Sequence, residues 1–283
     1  MRYGLPRKPS ALIQNLVSRR AASVLMRVDE LLEQYERISA KEFRQRCSVW
    51  RRAPVGVRPR MIPNRKLAEA ITPDGARLAL YEHDGSYCIR LEQQELMHSS
   101  LSISELLLGE LATKQITAHA NPAVLIGGLG LGFTLRSVLK SLSLDATVQV
   151  VELMPAIVDW NREFLRALNG SLLDDSRVEM VVADVWDVLA RAGRSRYDAV
   201  ILDIDNGPCG MVQKQNDRLY HDDGLGRLHA ALKPGGRAAI WSAWRDTDFV
   251  SRLSRAGFMV QSVPAKLHAQ AKRCSYTIFV ADK

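Results

Sequence analysis

Between Pro122 and the last residue, short apolar runs alternate with amphipathic stretches. The runs Ala123–Ile126, Thr147–Val151, Val178–Val182, Asp198–Asp203, Arg237–Trp241, Met259–Val263 and Tyr276–Ala281 predict strands. Between them, roughly Phe133–Ser141, Pro155–Asn169, Val185–Arg194, Gly224–Leu232 and Thr247–Arg255 carry the spacing of helices. Regular alternation of this kind implies a mainly parallel seven-stranded sheet with helices on both faces.

The pattern upstream is different. From Ser10 to about Ile38 apolar residues recur at helical spacing (Leu12, Leu16, Val24, Val28, Leu31 among them), which predicts one long amphipathic helix or two abutting ones. Residues 51–64 hold three prolines and a glycine and predict a linker. Thr72-Pro73-Asp74-Gly75 signals a turn, and two strands are expected around the turn Asp84-Gly85. Leu101 to Ala112 is expected to be helical, with Ser102 and Glu105 in the spacing of a capping box. The chain thus divides into a helical arm and linker over residues 1–64, a small β-rich segment with a helix over 65–115, and an α/β domain over 116–283.

Candidate chemistry collects at the predicted strand ends. The first strand of the α/β domain runs into Gly127-Gly128-Leu129-Gly130-Leu131-Gly132 and a helix opens at once. Glycines there let the backbone turn tightly and approach a ligand. Glu152 ends the next strand, where a carboxylate can accept hydrogen bonds from ribose hydroxyls. Asp184, followed by Val185, ends the third, within reach of an adenine amino group. Each acid alone is explained as well by a helix cap or a solvated turn. Three such features at consecutive strand ends indicate a nucleoside cofactor, and the loop by itself does not choose between a nicotinamide dinucleotide and S-adenosylmethionine.

The fourth strand end is Tyr197-Asp198-Ala199-Val200-Ile201-Leu202-Asp203-Ile204-Asp205-Asn206-Gly207-Pro208. With this segment in place, Arg65 to Lys283 resembles the spermidine-synthase-like group of the class I methyltransferase superfamily. The stretches VLIGGLGLGFTLRSVLK, VVELMPAIV, DSRVEMVVADVWDVL, YDAVILDIDNGP and ALKPGG carry the resemblance. It implies a Rossmann-like methyltransferase fold and a cofactor held by Gly127, Gly128, Gly130, Gly132, Glu152, Asp184 and Val185. It also implies Asp203 as general base or anchor for an acceptor amine, with Asp205 as a second catalytic candidate.

Departures from that family bear on the reaction. Aminopropyltransferases carry an acid in the glycine loop where this chain has Gly130. Their second acid after the fourth strand corresponds to Asn206, and their Tyr-Gln pair corresponds to Ile103-Ser104. These losses point to methyl transfer from S-adenosylmethionine to a nitrogen or oxygen of an unidentified small-molecule or protein acceptor. Aminopropyl transfer from decarboxylated S-adenosylmethionine to a diamine is the alternative. A degenerate cofactor-binding module with a partner-binding arm is a third reading, and Glu152, Asp184 and Asp203 together argue against it. Asn206, Tyr220 and His221 are the acceptor-pocket candidates, with Trp241 and Trp244 as further wall residues.

Charge changes the picture only at the N-terminus. The chain of 283 residues has a net charge of +8, yet residues 1–66 hold 16 Lys and Arg against 5 Asp and Glu. The basic character therefore belongs to the arm, where a solvated helix face or a subunit contact is expected before nucleic acid. A homodimer remains open. The four cysteines and six histidines are scattered without metal-ligand spacing, so no metal is expected. With neither an apolar run long enough to span a bilayer nor a secretory leader, a cytoplasmic protein is expected. The Arg- and Ser-containing start keeps an organellar transit peptide open.

Overall fold

The computed structural model describes residues 63–204, 207–208, 214–268 and 270–283. The helix expected over Ser10–Ile38 and the linker after it lie outside the described residues.

An antiparallel meander opens the described chain: β1 (Arg65–Ile71), β2 (Arg77–His83), β3 (Ser86–Leu91) and β4 (Gln94–His98), paired in that order. Asp84 and Gly85 both have positive φ, 47° and 72°, as the tight turn between β2 and β3 requires. The outer strands β1 and β4 are not evident in the sequence because charged and polar residues interrupt their apolar pattern. On β2, Leu78 and Leu80 are buried and supply the apolar face.

Helix α1 (Ile103–Thr113) follows, and Leu107, Leu108 and Leu111 bury its apolar side. The expected capping box does not form, since Ser102 makes no side-chain cap bond. Glu105 turns instead toward Ser104, whose Oγ donates to its Oε2 at 2.6 Å.

The α/β domain then runs β5 (Ala123–Gly127), α2 (Phe133–Ser141), β6 (Thr147–Glu152), α3 (Pro155–Glu163), α4 (Arg166–Asn169), β7 (Val178–Val182), α5 (Val185–Arg191), β8 (Tyr197–Leu202), α6 (Asp222–Ala231), β9 (Leu232–Ser242), α7 (Thr247–Arg255), β10 (Met259–Lys266) and β11 (Cys274–Asp282). Its seven strands lie in the order β10-β11-β9-β8-β5-β6-β7. The pairs among β5, β6, β7, β8 and β9 are parallel, and β11 is antiparallel to both β9 and β10. This is the Rossmann-like methyltransferase architecture expected from the alternation of patterns.

Several boundaries differ from expectation; the helix expected over Val185–Arg194, for one, ends at Arg191. The helix expected over Pro155–Asn169 is broken where buried Leu165 is drawn inward, its amide donating to Trp160 O at 3.0 Å. The helix expected at Gly224 opens two residues earlier, at Asp222. Its expected last residue, Leu232, is instead the first of β9, paired with Tyr197.

Strand β8 is buried along its whole length, as a central parallel strand must be. Its alternating side chains serve two layers. Val200 and Leu202 join Ile240, Phe279, Leu189, Leu225, Leu228, Phe249 and Leu253 in one core, so α5, α6 and α7 share a face of the sheet. An edge-on aromatic ladder fixes that layer, with Phe249 at 5.8 Å from Tyr220 and 5.1 Å from Phe279. Phe249→Ala should lower stability by about 3–5 kcal/mol, the usual cost of removing a buried aromatic ring. The shift of the urea midpoint at unchanged slope measures it.

Candidate active site

The parallel strands all end at one edge, and there the chain turns sharply. After β5, Gly128, Gly130 and Gly132 adopt φ of 91°, 50° and 84°. The Gly128 amide donates to Val151 O at 2.8 Å and the Asp203 amide donates to Gly127 O at 2.9 Å, so the loop is sewn to both neighbouring strands. A Cβ on Gly128 would lie 2.2 Å from the Asp203 carbonyl oxygen, which leaves room for glycine alone. Gly132 caps α2, braced by Asn161 and Asn169. Asn161 Nδ2 donates to Gly130 O at 2.9 Å, and Asn169 donates to Leu131 O.

Glu152, the last residue of β6, is buried. Its Oε2 accepts the Leu129 amide and its Oε1 the Met154 amide, both at 2.9 Å. Burial pushes its carboxyl up, and the backbone amides pull it down. The side chain therefore holds the glycine loop in shape as well as facing the cleft. Asp184 caps α5, accepting the Trp186 amide at 2.8 Å, and its other oxygen accepts Arg218 Nη2 at 2.6 Å. Asp203 follows β8 and accepts Thr134 Oγ1 at 2.5 Å. Desolvation pushes its carboxyl up to about 6.

Gly128, Gly130, Glu152, Asp184, Val185 and Asp203 line one cleft that is open to solvent. Leu153, Ile157 and Val185 give it apolar walls, and the β1–β2 turn reaches it through Thr72 and Asp74. These residues fit an adenosine moiety. The turn admits close approach, Glu152 lies where ribose hydroxyls need acceptors, and apolar side chains flank Asp184 for a base. Gly127 lies beneath, packed against Val185 and Leu202.

The remaining candidates separate. Asp205 and Asn206 lie outside the described residues. Tyr220 is a correction: it is buried in the aromatic ladder against Phe249 and does not line the cleft. His221 is another, an exposed residue that precedes α6 without capping it through its side chain. Both were proposed from a polar loop whose end folds back into the core. Trp244 is exposed, and Trp241 lies tilted on Tyr276 at 4.7 Å.

Three residues were missed. The backbone carbonyl oxygen of Glu105 lies 3.4 Å from Thr134 Oγ1, the hydroxyl that donates to Asp203. Arg218 lies 4.9 Å above the Trp186 ring. Met97 of β4 covers Gly130, where an added Cβ would lie 2.7 Å from its sulfur. Only Glu105 had a sequence signal, an acid inside an otherwise apolar helix.

A mainly parallel sheet whose strand-end acids line one cleft is the Rossmann-like methyltransferase architecture. A family profile, the spermine/spermidine synthase domain, matches residues 93–242, more than half of the chain. The chain belongs to this family. It is 34% identical over 123 residues to a polyamine aminopropyltransferase of Aeropyrum pernix, covering 42% of this chain and 37% of the relative. Over 113 residues it is 33% identical to putrescine N-methyltransferase 2 of Nicotiana attenuata, covering 40% and 29%. The matches thus span well under half of these relatives' own length. Among solved structures, a spermidine synthase in complex with the transition-state analogue AdoDATO superposes with a TM-score of 0.63 at 21% identity, covering 77% of this chain and 74% of that one. That likeness concerns the fold.

The two loop glycines should respond differently to a methyl group. In Gly128→Ala the new Cβ meets backbone that cannot move, so a loss of ~3 kcal/mol or more is expected. In Gly130→Ala it meets the end of a flexible methionine, and about 1 kcal/mol for the left-handed backbone is expected. Urea unfolding of both variants measures the contrast.

Proposed function

We propose that this protein transfers an aminopropyl group from decarboxylated S-adenosylmethionine to an amine of a diamine, with Asp203 receiving the acceptor nitrogen. The observation that carries this reading is the Asp203 carboxylate, which follows β8, lines the cleft beside the glycine loop and accepts Thr134 Oγ1 at 2.5 Å. A cationic amine leaving water needs a carboxylate to replace its hydration, and Asp203 supplies one. The kinship with polyamine aminopropyltransferases supports the same choice.

In this scheme the cofactor's sulfonium makes the adjacent carbon electrophilic. The chain's own part is alignment and proton handling. Glu152 and the glycine loop hold the ribose, and Asp184 with its apolar neighbours holds the base. Asp203 orients the acceptor nitrogen and accepts its proton, while Thr134 fixes the rotamer of the carboxylate.

Methyl transfer from S-adenosylmethionine is the second reading, and one observation favours it. Gly130 stands where aminopropyltransferases carry an acid, under the neutral thioether of Met97. A donor that keeps its carboxylate meets no like charge at that point.

Purified protein incubated with putrescine and either donor, with products separated by mass, tests the choice. The aminopropyl product from the decarboxylated donor is expected. A methylated product from S-adenosylmethionine alone overturns that choice in favour of the second reading. In either case Asp203→Asn should leave donor affinity within about twofold and lower kcat by ~100-fold or more, the scale of a lost general base.

A further inference from the structure

The strand ends give the cleft a direction. In the sheet order β8-β5-β6-β7, Asp203 stands after β8, the glycine turn after β5, Glu152 at the end of β6 and Asp184 after β7. A nucleoside with its base at Asp184 and its ribose at Glu152 therefore sends the tail of its ribose across the glycine turn toward Asp203. Whatever covers that turn meets the tail.

Met97 covers it. Gly130 is itself held in place, because its carbonyl oxygen accepts Asn161 Nδ2 at 2.9 Å and the preceding amide, Leu129, donates to Glu152. On the side where a Cβ would project, Met97 Sδ lies 2.7 Å and Met97 Cε 2.8 Å from the position of that Cβ. Among the described residues, and apart from the chain neighbours of Gly130, nothing else comes within 4 Å of it. The space over this part of the turn thus belongs to the end of one side chain.

That side chain comes from the meander. Met97 pairs with Ile89 in the ladder between β3 and β4, which fixes its main chain. Its unbranched thioether turns freely and adapts to what lies beside it. Apart from Thr72 and Asp74 at the β1–β2 turn, what the meander brings to the cleft is apolar, with Leu78, Ile89, Leu91 and Met97 among the lining residues. A tail crossing the turn therefore shares its space with a neutral, bulky group. Such a group has no charge to select by, but it does have volume. A methylthio tail needs little of the space that the thioether holds, and a long arm with a branched end needs more of it.

We propose that Met97 is a specificity-determining residue that grades nucleosides by the bulk of the tail on their ribose, admitting slim tails and resisting long, branched ones. The assignment rests on the nucleoside reading of the cleft, which both transfer schemes share, and not on which group is transferred. An unbranched aminopropyl arm stands nearer the slim end than an amino-acid arm does, so the filter acts in the direction of the first scheme.

Calorimetry with two thioether nucleosides, methylthioadenosine and S-adenosylhomocysteine, reads the filter in the full chain without turnover. In Met97→Ala the affinity for S-adenosylhomocysteine should rise relative to methylthioadenosine by about tenfold, the scale on which a methylene discriminates in an apolar pocket. Met97→Leu, of similar volume, should leave the ratio within about twofold. A methionine that only keeps the glycine turn in shape would, on truncation, weaken both ligands together. An unchanged ratio in Met97→Ala therefore overturns the proposal. A shift in Met97→Leu as large as in Met97→Ala overturns it too, because sulfur rather than bulk would then be acting. Should Met97→Ala not fold, Met97→Val, a shorter residue that suits a strand, has to move the ratio the same way, and no shift there is equally fatal. If both nucleosides bind the parent and the ratio holds in every variant, the Met97 assignment falls alone. If neither binds the parent, the nucleoside reading falls and takes the assignment with it.

Discussion

The site depends on backbone lying directly against backbone where β5 and β8 end. Asp203 donates its amide to Gly127 O, and its carbonyl oxygen occupies the space that a Cβ on Gly128 would need. That contact fixes the height of Asp203 relative to the glycine turn, and thus the spacing of the two parts of the cleft that they line. Because β5 and β8 are adjacent parallel strands in register, a slip at this junction would displace Asp203 relative to Glu152 and Asp184 on the other side of it. Few adjustments are available in so tight a place, and the loop has met the constraint with glycines of positive φ.

The three strand-end acids are supported unequally, and the gradient has chemical meaning. Backbone amides grip both oxygens of Glu152, and Asp184 has a cap bond and a guanidinium. Asp203 has one hydroxyl from Thr134. Hydrogen-bond support therefore falls from the ends of β6 and β7 to the end of β8. In the proposed reaction that difference suits Glu152 and Asp184 to fixed acceptor roles and Asp203 to taking a proton.

Much of this was legible in the chain. The alternation after Pro122 predicted the seven strands, and Gly128, Glu152, Asp184 and Asp203 stand together at one sheet edge as their spacing implied. These are consequences of local pattern and strand-end position. Contacts between distant segments were not legible. Nothing near Met97 says that its thioether will cover Gly130, and nothing in the loop before α6 says that Tyr220 will turn into the core. Arg218 was hidden for the same reason, because a polar loop gives no period from which to assign an inward face. Glu105 was visible as an acid in an apolar helix, but the capping-box spacing supplied a nearer explanation that the structure does not bear out.

Trp186 occupies an unusual electrostatic position. Two guanidinium groups lie over its indole, Arg218 at 4.9 Å and Arg227 at 4.6 Å, and the first of these also bonds Asp184. A base that engages Asp184 competes with Arg218 for the same carboxylate and so disturbs the cation resting on the ring. Indole emission is sensitive to nearby charge, which makes Trp186 a native optical gauge of how far Arg218 has moved, with no label attached to the chain.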